Sequence, residues 1–413
     1  MPTDLIGTNS SVIPDNLAYI FKPNSIVPSM TRYISSFSSP EQGENGYKKN
    51  NIIRLRVNSA FIDFSKCNLQ FSTAISGTGG TYIRHRWNIG TVFSQVRILF
   101  GSTEVSLTEN FALIDTLVQL VKTGGYINSV GKQQRGLGDA TARNAQANSG
   151  FVYSLYLGDV VKLLSLALPI YKIQEQMTIE LTVNDPNNCL ESDKTALDMI
   201  INNVKLHYDT IQISKEIDNM ITQRINNNFC IPFLQFANYT STQMLSGTLN
   251  VSTQLPFRYI SLAGVLGLAR NSANLADPTV NDTYNTFLGY SNLSNNYLKI
   301  NNVLLPSDKV SNVSDQLNLS LEFWGECIGK SEAYMATDWS KYFHMAFSLM
   351  QDSKQAYSYD DQTVQGVGAN SSGFSLLHNL TLSSNAVNIE LNYFGMYYAC
   401  LRINPSGTLT YSS

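Results

Sequence analysis

The sequence predicts an all-β protein built in two halves. Three observations carry this. Short apolar segments alternate residue by residue with polar ones along most of the chain, the period-two pattern of half-buried strands. Between them lie turns rich in Gly, Pro, Asn and Asp, several long polar insertions, and one segment with strong helical periodicity. At 413 residues the chain is too long for one ordinary domain and suits two of about 200 residues each. No short-period repeat is present, which argues against a solenoid or propeller.

Residues 1–50 are polar, carry Pro2, Pro14, Pro23, Pro28 and Pro40, and read as an extended N-terminal arm. Tyr19, Phe21, Tyr33 and Phe37 could dock it on a neighbour or on its own domain. The first half is expected over residues 51–214. Ile53–Val57, Ala60–Phe64 and Leu69–Ile75 alternate as strands, and Gly77-Thr78-Gly79-Gly80 is a turn, since it lacks the lysine and helix of a phosphate loop. Val96, Ile98 and Phe100 mark the next strand, turned by Gly101-Ser102. Ser106 and Glu109 then have capping-box spacing before Phe111, Ile114, Leu117, Val118 and Val121, one face of a helix that Gly124-Gly125 stops. Residues 124–150 read as a long polar loop.

Strands resume at Phe151–Leu155. In Leu163–Val183, Leu164, Leu166 and Leu168 alternate with polar or small residues up to Pro169, which ends the pairing. After Gln174-Glu175-Gln176, Met177, Ile179, Leu181 and Val183 alternate again. Asp185-Pro186-Asn187-Asn188 is a turn, and Val204 to Ile213 supplies the last strands of this half. Residues 215–228 form a polar connector. The second half, 229–413, shows strands at Phe229–Phe236, Leu249–Val251, Phe257–Leu262, Leu317–Phe323, Ala386–Leu391 and Gly395–Ile403. Ala336–Met350 fits helix or strand, and 271–302 and 351–375 read as further long polar loops.

Composition bounds the function. Hydrophobic residues make up 43%, enough for real cores, but charged residues only 14%, against roughly 25% in ordinary soluble proteins. A surface so neutral suits contacts with other chains, or a neutral polar face turned to water. A net charge of −3 gives no electrostatic case for nucleic-acid binding. Cys67, Cys189, Cys230, Cys327 and Cys400 show no metal or redox spacing and read as buried free thiols. The first residues lack a basic segment followed by an apolar run, and no run of roughly eighteen apolar residues occurs.

Chemistry is equally sparse. His85, His207, His344 and His378 have no shared metal spacing, and neither a nucleophile elbow nor a zincin motif is present. Asp360-Asp361 reads as a solvated loop, and Arg84-His85-Arg86-Trp87, the tight basic–aromatic cluster, as a surface turn or subunit contact. No catalytic, cofactor-binding or metal residue is therefore assigned, and an enzyme is not expected.

Three stretches resemble the double jelly-roll major capsid proteins of tailless icosahedral DNA viruses, the group of nucleocytoplasmic large DNA viruses, virophages and polinton-like viruses. They are Ser94–Val121 (SQVRILFGSTEVSLTENFALIDTLVQLV), Leu166–Val183 (LALPIYKIQEQMTIELTV) and Asn404–Tyr411 (NPSGTLTY), in the family's order. The resemblance implies two consecutive eight-stranded antiparallel jelly rolls with a few short helices and long loop insertions. It implies a virion protein, made and assembled inside a host cell, whose homotrimers form pseudo-hexagonal capsomers that tile a shell. The insertions near 124–150, 271–302 and 351–375 would be outer towers or subunit contacts. The arm would face inward, towards an internal membrane or a neighbour, and minor capsid and penton proteins would be further partners. No cofactor is implied. The alternative is a carbohydrate- or receptor-binding β-sandwich, spike or lectin-like, for which Tyr357-Ser358-Tyr359-Asp360-Asp361 is the local candidate.

Overall fold

The structure, a computed structural model, describes residues 32–40, 45–122, 124–147, 149–227, 230–241, 244–280, 292–328, 343–350, 357–358, 363–364 and 366–413. In the first half the principal strands are β1 (Arg32–Ser38), β2 (Ile52–Arg56), β3 (Phe61–Thr78), β4 (Phe93–Phe100), β5 (Thr103–Glu109), β6 (Val152–Leu155), β7 (Met177–Val183) and β8 (Thr195–Gln212). They form two antiparallel sheets, in orders β1-β8-β3-β6 and β2-β7-β4-β5. The second half supplies β9 (Cys230–Thr240), β10 (Asn250–Gln254), β11 (Leu262–Asn271), β12 (Leu293–Ile300), β13 (Val303–Val310), β14 (Met345–Ser348), β15 (Leu376–Leu382) and β16 (Ile389–Ile403). Their orders are β9-β16-β11-β14 and β10-β15-β12-β13. Adding eight to each number of the first pair of orders gives the second, so one jelly-roll topology occurs twice.

Short strands extend this frame: Asn45–Tyr47 on β8, Ala167–Pro169 on β3, Leu409–Ser412 on β16, and the pairs Ile83–His85 with Leu190–Ser192 and Tyr357–Ser358 with Thr363–Val364.

The alternation read from the sequence points side chains as expected. β7 lies between β2 and β4, with Ile179 opposite both Leu55 and Ile98, and all three are fully buried. On the outer face of the same strands Glu180 accepts from Arg54 Nε at 2.7 Å and from Arg97 Nη1 at 3.5 Å, a cross-strand charge cluster. Between β12 and β13, Asn301 and Asn302 have φ 45° and 75° and make a tight hairpin, the left-handed pair that such two-residue turns need.

Several expectations are corrected. Of the expected arm, residues 1–31 and 41–44 lie outside the described residues, but Arg32–Ser38 pairs with β8 from Arg32↔Gln212 to Ser38↔Leu206. The reason is geometric: β8 is eighteen residues long and offers a free edge that this weakly patterned segment fills. The two strands expected over 60–75 are one strand, β3, and the two expected at 386–403 lie on one strand, β16. Phe257–Ser261 is irregular, with the strand starting at Leu262.

Helix α1 (Phe111–Leu120) forms as expected, but Ser106 and Glu109 belong to β5, and Asn110 with φ 49° starts the helix without a side-chain cap. All ten of its residues are buried, so it is a core helix rather than an amphipathic one. The expected polar loop 124–150 is helical in pieces: Gly124–Tyr126, Ile127–Gly131, Lys132–Arg135 and α2 (Ala140–Ala147). It lacks an apolar stripe because a buried arginine, Arg135, anchors it instead.

The 215–228 connector contains α3 (Lys215–Asn226), capped by Ser214 Oγ, which accepts from Ile217 N at 3.4 Å. Leu317–Phe323 was expected as a strand and lies in α4 (Val313–Ile328). Asn312 Oδ1 caps α4 by accepting from Asp315 N at 2.8 Å, and its buried face is Gln316, Ser320, Phe323 and Trp324. In the ambiguous 336–350 stretch, Met345–Ser348 is β14. Of the expected loop 271–302, Leu293–Ile300 is β12.

Candidate functional site

The residues that carried chemistry in the sequence are dispersed. His85 belongs to a short strand beside the first half's sheets, His207 to β8, His378 to β15, and His344 directly precedes β14. Among the described residues no group of three or more His, Cys, Asp or Glu could hold a metal ion. Asp360 and Asp361 lie outside the described residues. No helix among the described residues is long and apolar enough to cross a membrane.

The Arg84–Trp87 cluster faces inward, which corrects its reading as a surface turn. Arg84 ion-pairs with Glu191, which also accepts from Arg143 Nη1 at 3.0 Å. His85 Nε2 meets Thr73 Oγ1 at 2.7 Å, and burial, with the Arg143 charge second, pulls the His85 imidazole down to about 3. Arg86, 1% exposed, donates to three carbonyls: Asn187 O at 3.3 Å, Asp277 O at 3.1 Å and Val280 O at 3.3 Å. Asp277 and Val280 follow β11, so Arg86 stitches the second half onto the first, as does the bond from Ser192 N to Pro278 O at 2.8 Å.

A second junction joins the three motif stretches. The turn at Gly101, φ 57°, donates its N–H to Gln176 O at 3.0 Å. Gln174 N donates to Gly407 O at 3.0 Å, and a Cβ on Gly407, φ 82°, would stand 2.9 Å from Gln174 Cγ and 3.1 Å from Lys172 O. Next to it Tyr171 Oη donates to Asp218 Oδ1 at 2.6 Å and Lys172 Nζ sits 2.6 Å from the same oxygen, which holds the Asp218 carboxyl below its usual range and pins α3. Leu166–Val183 is thus the hub where the connector, the Gly101 turn and the Gly407 turn meet. Gln235 completes the seam: its Nε2 donates to Val105 O at 2.8 Å and its Oε1 accepts from Tyr397 Oη at 2.7 Å.

Both long helices of the cores rest on buried polar groups that the sequence did not reveal as partners. Under α1, Arg135 Nη1 donates to both Asp115 oxygens at 3.0 Å, and Nη2 to Asp159 Oδ2 at 2.9 Å and Tyr156 O at 3.0 Å. Lys122 and Gln119 also donate to Asp159, at 2.8 and 2.9 Å, and Asn88 Nδ2 to Asp115 at 2.6 Å. Burial alone would raise the Asp159 carboxyl, but the Arg135 and Lys122 charges and the bonds from Lys122 and Gln119 outweigh it and hold it below its usual range. Gly90 is required here, because a Cβ would fall 1.9 Å from Asp115 Oδ2.

Under α4 the groups are neutral. His378 Nε2 meets Asn296 Oδ1 at 2.6 Å and its Nδ1 meets Tyr393 Oη at 2.9 Å. Asn296 Nδ2 donates to Gln316 Oε1, Gln316 Nε2 to Ala346 O at 3.3 Å, and Trp324 Nε1 to His344 Nε2 at 2.7 Å. Burial pulls the His378 imidazole down to about 3.

The thiols divide. Cys67 and Cys189 are buried and free, as expected, whereas Cys230 and Cys400 are joined in a disulfide between β9 and β16, with Cα atoms 6.0 Å apart. The pairing is set by strand register, which places Pro232 opposite Cys400 and Cys230 opposite Arg402. Spacing along the chain, 170 residues, hides it.

No protein-family model matches the sequence, and no curated protein matches it either. Solved structures do. The chain is similar to PBCV-1 VP54 as fitted into a cryo-EM reconstruction of the virophage Sputnik, at 12% identity, 93% of this chain, 97% of that chain and TM-score 0.62. It is similar to the Faustovirus major capsid protein at 9% identity, 92% of this chain, 91% of that chain and TM-score 0.62. It is also similar to the mavirus major capsid protein, at 10% identity, 98% of this chain, 96% of that chain and TM-score 0.52. With the duplicated strand order, these likenesses establish the architecture: the chain has the double jelly-roll fold seen in those viral capsid proteins.

Proposed function

We propose that the protein is a viral major capsid protein with a structural role and no catalytic activity. The observation that supports this best is the paired topology itself: two jelly rolls in series on one chain, similar over more than nine-tenths of both chains to PBCV-1 VP54 and to the major capsid proteins of Faustovirus and mavirus. In this reading residues 51–214 and 229–413 are the two jelly rolls, 215–228 joins them and 1–50 is the arm. Three copies bring six jelly rolls into a pseudo-hexagonal capsomer, and capsomers tile an icosahedral shell.

The seam residues support the reading. Arg86, Gln174, Gly407 and Gln235 tie the two halves into one rigid tile, as a lattice unit needs. A charge content of 14% suits broad neutral contacts between copies. The chain would reside in the virion after synthesis and assembly in the host cell. Minor capsid and penton proteins would be its further partners, and the arm would reach an inner membrane or a neighbouring capsomer.

Light scattering on the purified chain tests this. A particle of three times 45.8 kDa is expected, with pseudo-hexagonal outlines in negative-stain images. A monomer across a wide concentration range would count against it, and glycan-array binding by that monomer would favour the lectin-like alternative.

A further inference from the structure

We propose that the hydrogen-bond chain from Tyr393 through His378, Asn296, Gln316 and Ser320 to the Trp324–His344 pair is an acid-sensitive latch that holds α4 on the second half's sheets. The argument begins with Trp324. An indole N–H can only donate, so the His344 Nε2 that lies 2.7 Å from it must carry no proton. Protonating that nitrogen sets N–H against N–H. Trp324 is fully buried and His344 nearly so, at 0% and 1% exposure, which leaves no water to take over the lost bond.

The same logic reaches His378. Asn296 Nδ2 donates to Gln316 Oε1, which turns Asn296 Oδ1 towards His378 and assigns the ring proton to Nε2. His378 Nδ1 then accepts from Tyr393 Oη at 2.9 Å. A second proton on His378 would turn that hydroxyl round, onto Thr253 Oγ1 at a long 3.4 Å. The chain continues to α4, where Gln316 Nε2 reaches Ser320 Oγ at 3.5 Å and Ser320 Oγ donates to His344 O at 3.3 Å.

Among the described side chains of the elements packed here, the charged groups are turned outward or paired, Asp308 and Lys309 on β13 being exposed. Asp315 and Glu322 on α4 are exposed, Lys299 on β12 is half-exposed, and Glu390 on β16 is paired with Arg270 at 3.0 Å. Against His378 itself lie Tyr393, the Phe347 ring at 6.0 Å and Asn296. Burial holds His378 neutral down to about 3, consistent with a ring that resists a second proton until its surroundings open.

Hydrogen exchange on the assembled protein, followed from about pH 7 to pH 5 and corrected for intrinsic rates, tests the latch. For each buried histidine that must open to protonate, the opening equilibrium of α4 should rise about 16-fold between pH 6.5 and 5. Helix α1, whose own cluster contains no histidine, is the internal reference: His85, elsewhere in its half, gives it at most one such rise, whereas α4, with His344 and His378, should exceed it. His344→Gln keeps an acceptor for Trp324 without a titrating ring and should flatten the α4 response. Should that variant fold poorly, Trp324→Phe removes the conflict from the other side. It should lower α4 protection at neutral pH and weaken its pH dependence. An equal response of α4 and α1 in the wild type, or an undiminished response in both variants, overturns the proposal.

Discussion

Helix α1 lies between β5 and β6, and α4 lies between β13 and β14, the same place eight strands later. They pack on different elements, α1 on Ile89–Val92 and β4 and α4 on β14 and β13, and each buries polar side chains to do so. Under α1 the buried groups are ions: Asp115 and Asp159 share Arg135, with Lys122 alongside. Under α4 they are amides, a hydroxyl and two imidazoles. The difference teaches that one connection of the repeated topology carries a helix in both halves while its docking site and the chemistry beneath it are free to differ. Ions tolerate acid down to the carboxylate range but not the loss of one partner, whereas imidazoles tolerate single losses better and acid worse.

The largest effect should come from Arg135→Met. It leaves Asp115 and Asp159 buried without their shared cation, and urea unfolding should show a loss of about 3–5 kcal/mol. Adding Asp115→Leu should recover part of it, and no recovery would mean the cost is steric rather than electrostatic.

Acid comes next. His85 and His378 are held at about 3 when folded and lie near 6.5 when unfolded. The unfolded chain therefore binds more protons, and stability present above about pH 6.5 is lost as the pH falls towards 3. Unfolding free energies from urea titrations at pH 6.5 and 5 should differ by about 1.6 kcal/mol per histidine, and His378→Gln should remove one such share. Asp159, held below its usual range, adds its own loss only under more acidic conditions.

Gln316→Leu should cost less, about 1–3 kcal/mol by the same assay, because it strands one neutral donor, Asn296 Nδ2, instead of a charge. The smallest effect is expected at the surface. Lys48 and Asp198 pair at 2.9 Å with side chains 54% and 44% exposed, so Lys48→Ala should cost under about 1 kcal/mol and nothing measurable in 1 M salt. The Arg135 effect should persist in that salt, and its disappearance would erase the contrast between buried and exposed pairs.

The sequence made the sheets legible wherever one face was apolar and the other polar. β2, β4 and β7 follow from alternation alone, with Ile53, Leu55, Val96, Ile98, Ile179 and Leu181 all buried. It misled where the buried face was polar. α4 hides its period because Gln316 and Ser320 occupy inward positions, while Leu317, Leu319 and Leu321 alternate like a strand although they are only half-buried. Residues 124–150 looked like a loop because their anchor is Arg135, a residue that side-chain type alone places at the surface. The seam was half legible. Its three motif stretches stand out in the sequence, but the Gln174–Gly407 and Arg86–Asp277 contacts depend on how the halves dock. The inward turn of Arg84 depends on Glu191, 107 residues away.

The Gly407 turn also bears on the order of synthesis. A ribosome has made both sets of strands before it reaches Asn404–Tyr411, so the bond from Gln174 to Gly407 cannot form until then. The first half can bury its own core while the second is still being translated, since its strands pair only among themselves. Docking of the two halves at that turn is then the closing event of folding. A ribosome-bound nascent chain stopped short of Asn404 should hold a folded first half whose hub around Gln174 is still open.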